Sequence, residues 1–396
     1  MITEPIPNVW REQADLIELV RDLGARVLSV DIEGRFERGE PHPAGVEAMR
    51  DAGLFRLTLP RRWGGLGRDY AALAAVCEEL GALDVAYQIN LTVHLALTAM
   101  TMLQWGSEVQ QRTWLPQLVS GERIGTFGLT EPGAGSDVGA LRMSARPVAG
   151  GYLLNGEKSW ISAANQARLF LLFATSDRTA RHRGISAFIV PRESPGLQTV
   201  ELRGKLGARA GDTGSVFCDN VFVPDEQVLG EPGEGFAVAL SGLGNGLFTV
   251  GCGALGIAAE CRRLTTTLLR ESGVQAGDLA AVDLAEMVAR EEAARLLLAK
   301  AASLKNRGEP NTQQTGLAKW MAAEAGYRNA EAALRLYQVL FEPEAPTLAR
   351  QLANARGAVI YGGTAEIHQG MQGSYELGYR RERPFRRFGL TAADLA

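Results

Sequence analysis

Phe127-Gly-Leu-Thr-Glu-Pro-Gly-Ala-Gly-Ser-Asp137 is the most distinctive stretch of the chain, with three glycines, one proline, two acids and two hydroxyls in eleven residues. Gly133 and Gly135 allow the main chain to approach a planar or phosphorylated ligand closely. Thr130 and Ser136 can add directional hydrogen bonds. The spacing matches neither a P-loop nor a Rossmann motif, so a tight interdomain turn explains the glycines as well as a ligand site does.

Helical patterns lie on both sides of this stretch. Before residue 121, apolar residues recur at three- and four-residue spacing, as at Leu16, Val20 and Leu23. In the last third of the chain, two long patterns of the same period run over residues 284–304 and 315–341. Both ends of the chain are therefore predicted to be helical.

The residues directly after the glycine-rich stretch have strand character instead. The Asn155-Gly156 pair, a preferred hairpin dipeptide, predicts a two-residue turn within residues 151–161. Short apolar runs rich in β-compatible residues predict strands over residues 169–175, 184–190 and 215–223.

These patterns predict an α+β protein in three parts. We expect an N-terminal α-helical domain over residues 1–122, a middle domain built on a small antiparallel sheet or barrel over 123–233, and a C-terminal helical bundle over 234–396. The glycine-rich stretch then lies at the start of the middle domain.

The overall composition excludes several classes of protein. The chain has 396 residues and a net charge of −4, so it offers no overall field that would attract nucleic acid. Its four cysteines and four histidines are scattered without ligand spacing, so we expect no metal site and a reduced, cytoplasmic setting. The opening residues Met1-Ile-Thr-Glu-Pro-Ile-Pro7 lack the basic and apolar regions of a signal peptide.

Residues 235–259 carry no charge over a length that could span a bilayer. The stretch is interrupted by many glycines and has no flanking belt of Trp or Tyr. We therefore expect a buried helix in a soluble core and no membrane partner.

Several motifs together resemble one known family. Leu129-Thr-Glu-Pro-Gly-Ala-Gly-Ser-Asp137 followed by Lys158-Ser-Trp-Ile-Ser162 is similar to the flavin-binding signature of the acyl-CoA dehydrogenases. Further segments resemble the end of that family's middle domain and its closing active-site segment: Lys205–Thr213, Val221–Asp225, Leu229–Phe236 and Ala355–Ile367. The resemblance implies a C-terminal four-helix bundle, FAD bound between subunits, and a homodimer or homotetramer.

The resemblance also implies roles for individual residues. The implied cofactor contacts are Phe127, Leu129, Thr130 and Ser136 in the first motif, Trp160, Ile161 and Ser162 in the second, and Thr364 and Glu366 in the closing segment. Ser136 and Gly363 are the implied contacts to the substrate thioester.

The catalytic base of that family is missing at both of its known positions. A carboxylate there would take the α-proton while a hydride leaves for the flavin. One position follows the tyrosine of the closing segment, where Tyr361 is followed by Gly362; the other aligns with Gly246. The family's Asp-x-x-Arg substrate pair reads Gly244-Asn-Gly-Leu247.

Four other residues are candidates to handle the proton, and each has a plain structural alternative. Glu366 can equally bind cofactor or cap a helix, and Glu131 can simply shape its loop. His368 can be a structural helix residue, and Tyr361 can be a core residue. The catalytic residue is therefore open.

The half of the FAD site that a neighbouring subunit supplies in the family is altered. Its glycine-rich cofactor loop aligns with Tyr337–Phe341, which can stack on the adenine or fill its space. A second cofactor element looks shortened over Arg270–Gln275. The arginine-rich residues Tyr379–Phe388 predict a solvated or subunit-facing surface rather than a phosphate site.

Three functions remain open. The first is an FAD-dependent oxidoreductase acting on an acyl thioester of CoA or acyl carrier protein, with a non-standard or absent base, in polyketide-type secondary metabolism. Its electron acceptor would be an electron-transfer flavoprotein or oxygen. The others are a flavin-dependent monooxygenase or oxidase of the same fold, and a non-catalytic subunit of a heteromeric dehydrogenase. The retained Phe127–Asp137 stretch favours the first.

Overall fold

The computed structural model describes residues 9–271, 277–341, 345–382 and 391–395. Its N-terminal helices are α1 Ala14–Leu23, α2 Ile32–Arg38, α3 Pro43–Asp51, α4 Tyr70–Leu83, α5 Val85–Leu91, α6 Met100–Trp105 and α7 Glu108–Val119, with π-helical turns Thr92–Ala99 joining α5 to α6. The later helices are α8 Gly235–Glu271, α9 Asp278–Asn306, α10 Thr312–Leu340, α11 Pro346–Ala358, α12 Ala365–Glu376 and α13 Ala392–Leu395.

Between these helical parts lies one sheet. Its strands are β1 Gly125–Gly128, β2 Ser144–Val148, β3 Gly151–Ser162, β4 Leu169–Thr175, β5 Ile185–Pro191, β6 Leu197–Glu201, β7 Thr213–Pro224 and β8 Val228–Leu229. The order is β6-β7-β3-β2-β4-β5-β8, and β1 pairs with β4 in parallel. Most pairs are antiparallel, as predicted, and the α+β class is confirmed.

The predicted hairpin turn at Asn155-Gly156 is wrong. The turn that joins β2 to β3 is Ala149-Gly150, and β3 continues through Asn155 while pairing with β7. The pair instead marks a bulge opposite β7, where Asn155 Oδ1 accepts the main-chain N–H of Asn220 at 2.9 Å. Gly156 has φ +138°, and a β-carbon there would lie 2.9 Å from Met143 Cα. Glycine is needed here for close packing rather than for a reversal.

Helix α8 is the central helix of the C-terminal part. It is long and apolar enough to cross a membrane, yet 78% of its most apolar window is buried within the protein. A β-carbon at Gly256 would overlap the carbonyl oxygen of Glu78 on α4, so the two helices cross at main-chain distance. The uncharged stretch is therefore a core helix whose small residues permit close packing.

Candidate active site around the glycine-rich loop

The glycine-rich stretch forms a loop that leaves β1 and is fastened to β3. Glu131 and Ala134 exchange main-chain hydrogen bonds of 3.1 Å, and the Ser159 N–H donates to the Thr130 carbonyl at 2.9 Å. Apart from its two chain neighbours, no described residue has a heavy atom within 4 Å of a β-carbon placed at Gly133. The loop is thus tied down on one side and open on the other, which is the geometry of a main-chain ligand site.

A buried ion pair holds the base of this loop. Lys158 Nζ lies 2.7 Å from Glu131 Oε1 and donates to the Leu129 carbonyl at 3.1 Å. The Glu131 carboxylate also accepts the main-chain N–H groups of Arg142 and Met143. Burial lowers the pKa of Lys158 to about 8, with Glu131 opposing the shift. Because both oxygens of Glu131 are engaged, its role is to shape the loop rather than to accept a substrate proton.

The residues proposed to contact the cofactor fall into two groups by burial. Phe127, Leu129 and Ile161 are buried, so their side chains belong to the core and only their main chain can face a ligand. Thr130 and Ser162 are half-buried and Ser136 is exposed, so these hydroxyls are available to a ligand.

Trp160 has an unusual conformation. Its φ is +60°, which is rare for a bulky residue, and its side chain is 61% exposed. Strained backbone of this kind concentrates at functional sites. A large ring held outward beside an open glycine-rich loop offers a flat wall for a planar ligand or a second subunit.

The closing segment makes a turn that only glycine adopts readily. Gly362 and Gly363 have φ of +66° and +85° in succession. The Gly362 carbonyl lies 3.1 Å from His368 Nε2, and Lys319 Nζ donates to the Gly363 carbonyl at 2.7 Å. Thr364 then caps α12 by accepting the N–H of Ile367.

One of the two base positions lies on α8, and the other packs against that helix. A β-carbon at Gly362 would lie 3.5 Å from Leu247 Cδ2 and 3.8 Å from Val250 Cγ2. Gly246 is four residues before Val250 and therefore on the same face of the helix. Residues 235–259 of this helix contain no acid, so this part of α8 supplies no replacement carboxylate.

The remaining candidates for proton transfer differ in their surroundings. Glu366 is fully exposed at the start of α12, where its own main-chain N–H and the Thr364 hydroxyl lower the pKa of its carboxyl. Burial raises the pKa of the Tyr361 hydroxyl. His368 is buried, its Nδ1 has no hydrogen-bond partner among the described residues, and burial lowers its pKa.

Sequence reasoning missed Lys319, which lies beside His368. It is fully buried on α10, and burial lowers its pKa to about 7. A signal was present, because a lysine stands among small apolar residues in Ala318-Lys-Trp-Met-Ala-Ala323. Lysine is almost never fully buried without a specific partner, and here the partner is the Gly363 carbonyl.

The altered half of the cofactor site lies away from this loop, at the end of the bundle. The rings of Tyr337 and Phe341 lie 5.7 Å apart and border an apolar cavity of about 180 Å³ between α8, α10 and α11. Arg270 lies in the last turn of α8, but residues 272–275 of the predicted element Arg270–Gln275 lie outside the described residues. Residues 383–388 of the arginine-rich segment Tyr379–Phe388 also lie outside the described residues.

The residues present fit the ring end of a flavin. The open main chain at Gly133, the exposed hydroxyl of Ser136 and the outward ring of Trp160 lie on connected parts of one loop and strand. Main-chain donors and a flat aromatic wall suit a planar ring with hydrogen-bonding edges.

Comparison with known proteins identifies the family of the chain. The chain matches the acyl-CoA dehydrogenase N-terminal domain over residues 11–122, the middle domain over 126–221 and the C-terminal domain over 233–373. It is 36% identical over 351 residues to the glutaryl-CoA dehydrogenase of Desulfococcus multivorans, covering 86% of this chain and 90% of that protein.

Two solved structures also resemble this chain in fold and sequence. Butyryl-CoA dehydrogenase from Megasphaera elsdenii superposes with a TM-score of 0.87 at 30% identity, covering 95% of this chain and 100% of that one. Glutaryl-CoA dehydrogenase from Mycobacterium smegmatis in complex with FADH2 gives 0.86 at 28% identity, covering 94% and 96%. The chain belongs to the acyl-CoA dehydrogenase family, whose cofactor is FAD.

Proposed function

We propose that this protein is an FAD-dependent oxidoreductase of an acyl thioester whose proton is not taken by a carboxylate at either base position. The observation that carries the proposal is the contrast between two parts of the site. The glycine-rich loop Phe127–Asp137, here called the flavin loop, is intact and braced by the buried Glu131 and Lys158 pair. Neither base position carries a carboxylate: Gly246 lies on α8, and Gly362 packs against Leu247 and Val250 of that helix. FAD, when bound, accepts a hydride from the substrate.

The chain's own residues would bind and orient the thioester. Ser136 and the Gly363 turn contact it, and Lys319 and His368 hold that turn in place through its carbonyl groups. With the oxygens of Glu131 engaged and Glu366 in solvent, Tyr361 and His368 are the candidates that remain for moving a proton.

A donor carbon that carries a hydroxyl group needs no carboxylate to take an α-proton: the carbon gives up a hydride, and its hydroxyl proton would pass to His368 or to water. Oxidation of an alcohol or hydrated aldehyde requires no abstraction of an acidic α-proton, so two glycines at the base positions are compatible with it. We propose this reaction class, on a CoA or acyl-carrier-protein thioester in polyketide-type secondary metabolism. An electron-transfer flavoprotein or oxygen would reoxidise the cofactor of a cytoplasmic homodimer or homotetramer.

The test compares saturated and hydroxylated acyl thioesters of equal length on both carriers. Each is added anaerobically to the holoenzyme while the visible flavin absorbance is followed. We expect hydroxylated donors to bleach the flavin and saturated donors to do so slowly. Rapid bleaching by a saturated thioester would contradict the reaction class, and no bleaching by any thioester would contradict the proposed function.

A variant with a carboxylate at position 362 tests the role of the missing base directly. Gly362→Glu restores a carboxylate at a position where a β-carbon makes only ordinary contacts of 3.5 Å or more. A positioned base typically accelerates proton transfer by about a hundredfold, so reduction by saturated thioesters should rise by roughly that factor. Gly362→Gln carries the same backbone strain without the base and should show no gain.

A further inference from the structure

The turn of the closing segment leaves three consecutive main-chain N–H groups without a partner. Those of Gly362, Gly363 and Thr364 donate to no atom of the described residues. The next N–H group, that of Ala365, donates to the Val359 carbonyl at 3.1 Å. Main-chain donors inside proteins are nearly always paired, with the protein itself, with water or with a ligand. Because the three residues are only half-buried, a ligand can reach these donors.

The carbonyl groups of the same turn are bound by two buried basic side chains. Lys319 Nζ donates to the Gly363 carbonyl at 2.7 Å, and His368 Nε2 lies 3.1 Å from the Gly362 carbonyl. A carbonyl only accepts, so His368 carries a proton on Nε2. The peptide bonds are trans, so the Gly363 carbonyl and the Thr364 N–H group point in opposite directions. Holding the carbonyl from the protein interior therefore directs the N–H group to the side where no described residue binds it.

Stability does not account for a lysine at position 319. Its side chain is fully buried, and the Gly363 carbonyl is the one hydrogen-bond partner of Nζ among the described residues. An ammonium group carries three donors, so two of them lack a described partner. A buried amine with a single partner costs free energy that an apolar side chain of similar size would not. The hydrogen bond to the turn is therefore what the lysine contributes.

The charge of Lys319 acts directly on this turn. The neighbours that α8 and α9 present there are uncharged: Leu247, Val250, Gly251 and Leu298. His368 on α12 is the described group whose charge interacts with the lysine, and Tyr361 is neutral because burial raises the pKa of its hydroxyl. Burial lowers the pKa of Lys319 to about 7, so its amine gains a proton as the pH falls through this value. A charged donor forms the stronger hydrogen bond, and a bound carbonyl makes the N–H of the same peptide a stronger donor.

We propose that Lys319 is a positioning residue that directs the unpaired N–H groups of the turn at the acyl thioester, and that protonation of its amine strengthens this contact. Lys319 acts through the Gly363 carbonyl, because its own side chain is fully buried on the other side of the turn. This inference rests on the proposed function, in which a thioester contacts the turn.

The test removes the amine and measures thioester affinity against pH in the FAD-loaded protein. Lys319→Met keeps a long side chain without a donor. Equilibrium binding of the 3-hydroxybutyryl thioesters of CoA and of acyl carrier protein is measured from about pH 6 to about pH 8.5, together with anaerobic flavin reduction. We expect the wild type to bind about tenfold more tightly at the lower pH. Lys319→Met should bind about tenfold more weakly than the wild type at that pH and show no such pH dependence.

Lys305 on α9 provides a matched control. It is also buried, with its pKa lowered to about 7, but its Nζ lies 3.3 Å from Asn245 Oδ1 instead of on the turn. Lys305→Met should keep the wild-type affinity and its pH dependence. If Lys319→Met does not fold, Lys319→Arg repeats the test, because a guanidinium keeps a donor that stays charged and should bind the thioester tightly at both pH values.

The outcomes separate this inference from the proposed function. A folded, FAD-loaded Lys319→Met protein with wild-type affinity and pH dependence would overturn the inference alone, and so would loss of FAD with unchanged thioester affinity. Equal effects in Lys305→Met would also overturn it, because loss of a buried lysine elsewhere would then explain them. If thioesters bind but none reduces the wild-type flavin, the proposed function fails and the binding comparison still decides the inference. If no thioester binds the wild type, both are rejected.

Discussion

Lys158 is the residue on which the flavin loop most depends. Its charge is buried against Glu131, and removing one partner of such a pair leaves the other unpaired in the core. We expect Lys158→Met to lower the free energy of unfolding by about 3 kcal/mol and to reduce FAD content. Urea denaturation and the flavin-to-protein ratio measure the two effects.

The exposed ion pair between Asp137 of this loop and Arg181, which lies before β5, provides the control. Both side chains are about 60% exposed, so Arg181→Ala should change stability by less than about 1 kcal/mol. Equal losses in Lys158→Met and Arg181→Ala would show that the buried pair does not brace the loop.

Lys305 predicts a pH dependence of stability. It is buried with Nζ 3.3 Å from Asn245 Oδ1 and faces the rings of Tyr70 and Phe248. Burial lowers its pKa from 10.5 to about 7. Between these values the unfolded chain binds more protons than the native protein, so stability contributed by this residue rises with pH.

The measurement compares wild type with Lys305→Met, which has no titrating group. The wild type should gain about 2 kcal/mol relative to the variant between about pH 6.5 and pH 9, by urea denaturation. If the free energy of unfolding depends on pH in the same way in both proteins, Lys305 is not neutral in the native state.

At the scale of elements, the crossing of α4 and α8 depends on glycine. A β-carbon at Gly256 would overlap the Glu78 carbonyl, a main-chain atom that cannot move aside alone. Gly256→Ala should therefore cost about 3 kcal/mol of unfolding free energy. On the same helix, a β-carbon at Gly244 meets no described heavy atom within 4 Å beyond its chain neighbours and the local helix backbone, so Gly244→Ala should be neutral or stabilise by up to about 1 kcal/mol. Similar values for the two variants would refute the close crossing.

Individual strands and turns also show which parts of the fold the sequence patterns predict. The apolar run at residues 169–175 coincides with β4, because a fully buried strand needs a continuous apolar sequence. The Asn155-Gly156 dipeptide predicted a turn that does not form, because β3 pairs with β2 on one side and β7 on the other. This pairing outweighs the local turn preference of the two residues. The engagement of Glu131 by Lys158 links residues 27 positions apart and is visible only in three dimensions.

At the scale of the whole molecule, a group of exposed apolar side chains leads us to expect contact between copies. Ile360, Ile367, Leu377 and Tyr379 are 45–83% exposed within twenty residues of the C-terminal part. We expect a homodimer or homotetramer, and expect Ile367→Glu with Leu377→Glu to shift light scattering toward the 42.5 kDa single chain.

A control for that shift lies on α7. Val109 is 70% exposed, and Val109→Glu should leave the mass unchanged. A wild type that is already a single chain in solution would remove the basis for this expectation.

The most direct test of the central claim is the visible spectrum and flavin content of the purified protein, followed by anaerobic addition of acyl thioesters. Stoichiometric FAD that one thioester bleaches is the expected result, since the loop from Phe127 to Asp137 retains its braced geometry while both base positions are glycine. A colourless protein that cannot be reconstituted with FAD would contradict an active flavin site in this chain.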